Sequence, residues 1–276
     1  MKKLIGIILL VGCVVVGLRA GRSVQDWMTK HSLEERALLE QTTANVEKTA
    51  QKIADSTLQL EELRYANLLH DSWADSKWLK NKQFSPNKAA ANYSLLYVLF
   101  RALDEVHPAS VLEMGLGQTT HMTTQYAKYF QAKLDVIEDD QQWIDIYKDK
   151  LPVAPNTRVH QRPIVTFDYR GRQSEKYDDL SEIVGKTRYN LIVIDGPIGY
   201  RSSLSRSNIL DLIPQNLADD FVIIFDDVER PAEKETVRLL EEKLRANNIR
   251  YAKSVYPALK TQLVLAGGNY QFVTFL

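Results

Sequence analysis

The chain has 276 residues, 45% of them hydrophobic and 25% charged, which is material for one domain with a substantial core and further sequence besides. Thirty-five Lys and Arg balance thirty-five Asp and Glu, so no broad basic face is available to neutralise a phosphate backbone, which argues against a nucleic-acid partner. The single cysteine, Cys13, excludes an internal disulfide and any Cys-based structural zinc site.

From Leu4 to Leu18 run fifteen uncharged residues, flanked by Lys2-Lys3 and by Arg19. That is slightly short of the roughly 17 to 25 of a spanning helix, a deficit that snorkelling Lys and Arg side chains can supply. Residues 1–22 are therefore expected to form a retained single-pass membrane anchor. Two alternatives stand beside it. A cleaved signal peptide would need a better site than Leu18-Arg19-Ala20. A lipoprotein box would acylate Cys13, although the apolar run continues through Val14, Val15 and Val16. Positive charges flank both ends, with Arg22 and Lys30 after Arg19, so the charge pattern does not choose a side of the membrane.

Ser32 to about His70 contains no Pro or Gly and is rich in Glu, Gln, Leu, Ala and Lys, which predicts one long helix within a stalk over residues 23–84. Leu39, Val46, Ile53 and Leu60 recur every seven residues, whereas the companion line is Thr42, Thr49, Ser56 and Leu63. This pattern predicts either a weak oligomerising seam between copies of the chain or an amphipathic helix packed on a surface. The helical pattern breaks at Phe84-Ser85-Pro86-Asn87, which places the start of a catalytic domain near residue 85, running to 276.

Beyond Pro86 helices and strands alternate. Helices are expected at Lys88 to Glu105, Thr119 to Phe130, Gln141 to Lys148, Leu204 to Ile213 and Ala232 to Asn247. Strands are expected at Ala109 to Met114, Lys133 to Ile137, Thr157 to His160, Asn190 to Ile194 and Phe221 to Phe225. Such alternation implies an α/β fold with a parallel sheet, helices on both faces, and a ligand at the carboxyl ends of the strands.

Those ends carry the chemistry. The first reads Glu113-Met114-Gly115-Leu116-Gly117-Gln118-Thr119, where two glycines let the backbone approach a ligand and the next helix offers free N–H groups. The second ends in Glu138-Asp139-Asp140, placed to accept hydrogen bonds from ribose hydroxyls. Asp195-Gly196-Pro197 and Asp226-Asp227 close two further apolar runs. Strand ends of one parallel sheet converge, so Asp195, Asp226 and Asp227 would repel one another unless a cation or proton intervenes. That predicts a hard divalent ion such as Mg2+ or Mn2+, or else helix-capping roles for Asp226 and Asp227. Tyr200, Arg201 and Arg206 follow in a Gly/Ser-containing loop, where a guanidinium could pair with an anionic acceptor.

On these motifs residues 87–276 resemble the class I S-adenosylmethionine-dependent methyltransferases. The resemblance implies a Rossmann-like, seven-stranded, mostly parallel sheet with antiparallel closing strands, formed by residues 248–252, Thr261 to Ala266 and Gln271 to Phe275. It implies that Glu113, Gly115, Gly117 and Thr119 cradle the methionine part of the cofactor and that Glu138 and Asp139 hold the ribose. The chain is more specifically similar to the glucuronoxylan O-methyltransferase family. The likeness rests on Gly115-Leu116-Gly117-Gln118-Thr119, Glu138-Asp139-Asp140, Asp195-Gly196-Pro197-Ile198-Gly199-Tyr200 and Asp227-Val228-Glu229-Arg230. The resulting expectation is a membrane-anchored O-methyltransferase acting on a hydroxyl of a glycan or glycan precursor, with Asp195 catalytic and Tyr200, Arg201 and Arg206 contacting substrate. The alternative from another class is a catalytically lapsed domain serving as an anchored scaffold.

Overall fold

The computed structural model describes residues 2–86, 90–148, 150, 155–199 and 202–275, with side chains from residue 21 onward. Helix α1 (Lys2–Trp73) is continuous. The apolar segment 4–18 and Cys13 fall within its backbone, but their side chains lie outside the described residues, so the anchor and the lipidation remain expectations. Among the described residues no helix is long and apolar enough to cross a membrane.

Two compact units divide the chain, Met1–Thr57 and Leu58–Leu276. The second begins well before the expected boundary at 85, because the end of α1 turns apolar on one face. Tyr65, Ala66, Leu69 and Trp73 recur at helical spacing and are all buried, as are Trp78 and Leu79 just beyond. Trp78 stacks on Phe100 at 5.3 Å and donates its indole N–H to Asp104 at 2.7 Å. Residues 58–84 are thus part of the globular unit rather than of a stalk.

The sheet contains seven strands in the order β3-β2-β1-β6-β7-β9-β8. Strands β1 (Ser110–Met114), β2 (Lys133–Glu138), β3 (Thr157–Gln161), β6 (Tyr189–Ile194) and β7 (Leu217–Phe225) are parallel. Strands β8 (Tyr251–Pro257) and β9 (Thr261–Gly267) close the sheet antiparallel. The expected seven-stranded α/β architecture is therefore present, with one correction at its end: residues 271–275 belong to a 3-10 helix, Gly268–Phe275, and not to a strand. A separate two-stranded hairpin was not anticipated, β4 (Ile164–Tyr169) paired with β5 (Arg172–Tyr177). Its two-residue turn puts Arg170 at φ 54 and Gly171 at φ 76, the left-handed pair that lets two antiparallel strands reverse without splaying.

Burial alternates along the central strands. Val111, Leu191, Val193, Val222 and Ile224 pack in one core with α2 (Tyr93–Val106) and α3 (Gln118–Phe130). Leu112, Met114, Ile192, Ile194, Ile223 and Phe225 pack in the other with α5 (Asn208–Leu212) and α6 (Pro231–Ala246). Helix α4 (Gln141–Lys148) lends Ile144 and Tyr147 to the first core. A strand that alternates between two apolar layers must be central, which is why these runs read as nearly continuous hydrophobic sequence. Helix α2 begins at Tyr93 rather than 88 because Asn92 caps it, its side chain accepting from Leu95 N–H.

Candidate functional site

Parallel register sets one row of residues at the carboxyl edge. Met114 aligns with Ile137 on one side and Ile194 on the other, and Ile194 aligns with Phe225. The residues that follow each, Gly115, Glu138, Asp195 and Asp226, are therefore level across β2-β1-β6-β7. Backbone bonds extend the row: Gly115 N–H to Ile137 O at 2.9 Å, Asp195 N–H to Met114 O at 3.0 Å, and Asp226 N–H to Ile194 O at 3.0 Å. Strand order reverses between β1 and β6, and the helices that follow them, α3 and α5, pack in the two opposite cores, which is where such sheets form their crevice.

The β1–α3 loop is held tightly. Gly115 has φ +94, and a Cβ on it would stand 2.9 Å from the backbone N of Gly196; a Cβ on Gly196 would stand 2.7 Å from Gly115 Cα. These two glycines are demanded by the meeting of the β1 and β6 loops. Gly117 is different. It is extended, at φ −174, and a Cβ there would meet nothing within 4 Å. Among the described residues nothing requires a glycine at 117, so the open space beside the start of α3 suits the close approach of a ligand.

Glu113, expected to touch the cofactor, lies instead beneath the loop with no solvent exposure. It accepts from the hydroxyls of Thr119, of Thr120 at 2.9 Å and of Thr123 at 2.7 Å. Burial pushes its carboxyl up to about 7, against the lowering effect of those three hydroxyls. Thr119 is likewise buried against Glu113. This pair ties α3 to β1 and sets the loop from below, a role that leaves the ligand face to Gly115 and Gly117.

Glu138 braces the same loop from the side. Its Oε2 accepts from Leu116 N–H at 2.8 Å, and its Oε1 from the N–H groups of Asp139 at 2.9 Å and Asp140 at 3.1 Å. Burial raises its pKa against those three bonds. A carboxylate has about four acceptor directions, so roughly one remains on Oε2 for a ribose hydroxyl. Asp139 is half-buried at the rim, while Asp140 caps α4 by accepting from Gln142 and Trp143 N–H groups at 2.8 and 3.1 Å. Trp143 in turn donates its indole N–H to Leu116 O at 2.7 Å, clamping the loop from outside.

Asp195, Asp226 and Asp227 do converge, with one oxygen of each within 4.8 Å of the others. They come together around two cations. Arg206 donates to Asp195 at 3.2 Å, to Asp227, and to Asp226 O at 2.7 Å. Lys260, from the β8–β9 turn, stands 2.9 Å from Asp226 Oδ2 and 3.6 Å from Asp227 Oδ1. Gln262 donates to the other Asp226 oxygen at 2.7 Å. The donor set does not fit a divalent ion: an ion about 2.1 Å from these oxygens would lie against an ammonium and a guanidinium already bound to them.

Arg206 is itself a correction. Only 2% exposed, it is the tie between the β6 and β7 ends and is not free to meet an acceptor. Tyr200 and Arg201 lie outside the described residues. Asp195 alone of the three acids reaches the crevice, its side chain 22% exposed against 0% for Asp226 and 2% for Asp227. Burial first, then the charge of Asp226, push the Asp195 carboxyl well above the usual carboxylate range, with Arg206 and Lys260 opposing. Asp226 goes the other way: burial raises it, but Lys260 and Arg206 outweigh burial and hold it low.

Three residues at this site carried no readable signal. Lys260 is separated from Asp226 by a helix and a strand, and its neighbours form no motif. Gln262 is the second residue of β9, two positions after Lys260. Tyr177 comes from the unanticipated hairpin; its hydroxyl lies where a Cβ on Gly196 would go. Burial raises its pKa, and the charges of Glu138 and Asp139 add to the effect.

No protein-family model matches this chain, and no curated protein matches it. Among solved structures it is similar to a SAH-bound methyltransferase of Podospora anserina, at 13% identity and TM-score 0.46, over 73% of this chain and 88% of that one. It is also similar to a precorrin-6y methyltransferase of Geobacter metallireducens, at 13% identity and TM-score 0.45, over 67% and 94%. A third is human methyltransferase-like protein 13 in complex with SAH, at 16% identity and TM-score 0.41, over 63% and 79%.

Proposed function

We propose that residues 58–276 form an S-adenosylmethionine-dependent O-methyltransferase acting on a hydroxyl of a glycan or glycan precursor. The observation that carries this reading is Gly117, a glycine at which a Cβ would meet nothing among the described residues, standing open at the N-terminus of α3 two residues beyond Gly115, which is level with Glu138 and Asp195. The residue types fit the cofactor: close-approach glycines for its methionine part, and an acceptor on Glu138 for its ribose. When bound, the cofactor supplies a methyl group on a sulfonium, already activated for transfer.

The chain's own residues then align and deprotonate. Gly115 and Gly117 keep the loop low, the Glu113–threonine ties and the Trp143 clamp keep it still, and alignment is most of what such a transfer needs. Asp195, the exposed acid of the row, accepts the proton of the acceptor hydroxyl, a role for which a carboxyl raised by burial is better matched than an ordinary one. Since the base form must be ionised, the rate is expected to rise with pH through the raised Asp195 value. Asp195→Asn should cost roughly 10²- to 10⁴-fold in turnover with cofactor affinity unchanged.

The anchor at residues 1–22 belongs to this proposal, as does the glycan acceptor, for which the family resemblance is the support. A second reading, an anchored scaffold, draws on the large apolar side chains exposed along α1, Trp27, Leu39, Val46 and Ile53 among them. Calorimetric titration of S-adenosylmethionine into a chain starting at Leu58, beside a Gly117→Arg control, separates the two. Saturable binding abolished by the substitution supports the enzyme. A folded protein that binds no cofactor supports the scaffold.

A further inference from the structure

We propose that Lys260 and Arg206 are built-in cations standing where a divalent metal would stand, and that Lys260 is a positioning residue which holds Asp226 back so that Asp195 alone faces the crevice. The second clause rests on the methyl-transfer reading; the first does not.

Charge comes first. Three carboxyl groups that converge within 4.8 Å repel one another strongly in a buried setting when ionised, and a proton or positive charge must offset them. In this chain it is supplied by side chains that are themselves buried, Arg206 at 2% and Lys260 at 4% exposure. A third cation, Arg230, stands 2.8 Å from Asp227 Oδ1 nearer the surface. Placing a divalent ion among the same oxygens would add two charges to a cluster already offset, and would require the ammonium or the guanidinium to leave.

Saturation of the donors is the second argument. Both Asp226 oxygens are engaged, one by Lys260 and one by Gln262. Gln262 is held in that orientation by a buried chain of polar groups. Its amide also donates to Asn92 Oδ1 at 3.2 Å, and Asn92 donates to Glu62 on α1 at 2.7 Å. A carboxylate at one end of this relay and a carboxylate at the other fix the direction of both amides. Asp226 is thus presented to its protein donors and turned from any ligand in the crevice.

Backbone conformation is the third. Asp227 and Arg206 both lie in the left-handed region, at φ 60 and φ 56. Such a conformation costs a non-glycine residue on the order of 1 kcal/mol or more, and it persists only where surrounding contacts over-determine it. Here the contacts that do so are their mutual ion pair and the tie from Lys260 to Asp227 and its neighbour Asp226. Asp195, bound by Arg206 through one oxygen, is left as the outward member of the set.

The test uses the full chain in detergent micelles, with Mn2+ as the probe, followed by calorimetry and by the electron paramagnetic resonance of free Mn2+. The unmodified chain is expected to show no saturable uptake. Lys260→Met keeps the stem and removes the charge, and should show saturable Mn2+ uptake where the unmodified chain shows none. Stoichiometric uptake by the unmodified chain that is lost in Asp226→Asn would overturn the proposal. So would a Lys260→Met protein with an unchanged melting curve and no gain in Mn2+ affinity. If that variant does not fold, the unmodified chain decides the first clause and Lys260→Arg replaces it in the turnover assay. Turnover kept in Lys260→Arg, which retains the charge, and lost in a folded Lys260→Met supports the positioning role; turnover unchanged in Lys260→Met, or lost equally in both, overturns it, and cofactor affinity that stays constant across the series distinguishes this from failure of the methyl-transfer reading.

Discussion

Glu113 has no contact with solvent, and burial pushes its carboxyl up to about 7 from an ordinary 4.5. A folded-state value above the unfolded one means that the folded chain holds the extra proton. The stability this group contributes is full below pH 4.5 and is lost as pH rises through about 7. At about 1.4 kcal/mol per pKa unit that window is worth roughly 3 kcal/mol. Glu113→Gln should remove this dependence, so that urea unfolding near pH 5 and near pH 8 differs by less than in the unmodified chain. An equal difference in the two proteins would show that Glu113 is not the group responsible. The two glycine positions make a paired prediction. Gly196→Ala forces a Cβ against the backbone of Gly115, which cannot give, and should cost about 2–3 kcal/mol in thermal unfolding. Gly117→Ala meets open space and should change the melting curve little while weakening cofactor binding. A reversed order of the two melting shifts would contradict the account of the loop.

Among the elements, the end of α1 is the one whose role changes most. Glu62 accepts from Tyr93 N–H at 2.5 Å and from Asn92 at 2.7 Å, so a residue of α1 completes the N-terminus of α2. Burial raises its pKa, against the lowering effect of those bonds. Glu62→Leu leaves a buried N–H and an amide unsatisfied and should destabilise by about 2–3 kcal/mol, read by urea unfolding. Tyr65, Leu69 and Trp73 bury their side chains almost completely in the same core. At roughly 1.5–3 kcal/mol each, their loss approaches the whole stability of an ordinary domain. A chain starting at Leu58 should therefore unfold cooperatively, and one starting at Trp78 should not; circular dichroism melts of the two check this. The β4–β5 hairpin shows the opposite legibility. Its strands are short; β4 is half-exposed but rich in β-branched and aromatic residues, whereas β5 is predominantly polar, so no pair of apolar runs flanked the Arg170-Gly171 turn.

For the molecule as a whole, Leu39, Val46 and Ile53 are each more than 60% exposed along α1, and the proposed seam runs through them. The full chain in detergent should sediment as an oligomer that dissociates when these three become Ser, whereas a chain starting at Leu58 should sediment as a monomer. Oligomers that survive the substitutions would remove the seam. The α/β alternation, the parallel strands and the row of glycines and acids at their ends were all readable in advance. Each depends on local periodicity, and in a parallel sheet a strand's last residue is the one that reaches the crevice. The domain boundary was not readable, since an amphipathic turn looks the same whether its apolar face meets solvent, a second copy or a core. Nor was the charge state of the acid cluster. Residues 195, 226 and 227 announce three negative charges, but Arg206 and Lys260 reach them only after β6, β7 and the β8–β9 turn have come together. Local sequence specifies which groups stand at a strand end, because periodicity acts over a few residues. Which opposite charge meets them is decided by tertiary folding, because a Coulomb partner needs only proximity in space and leaves no spacing in the chain to read.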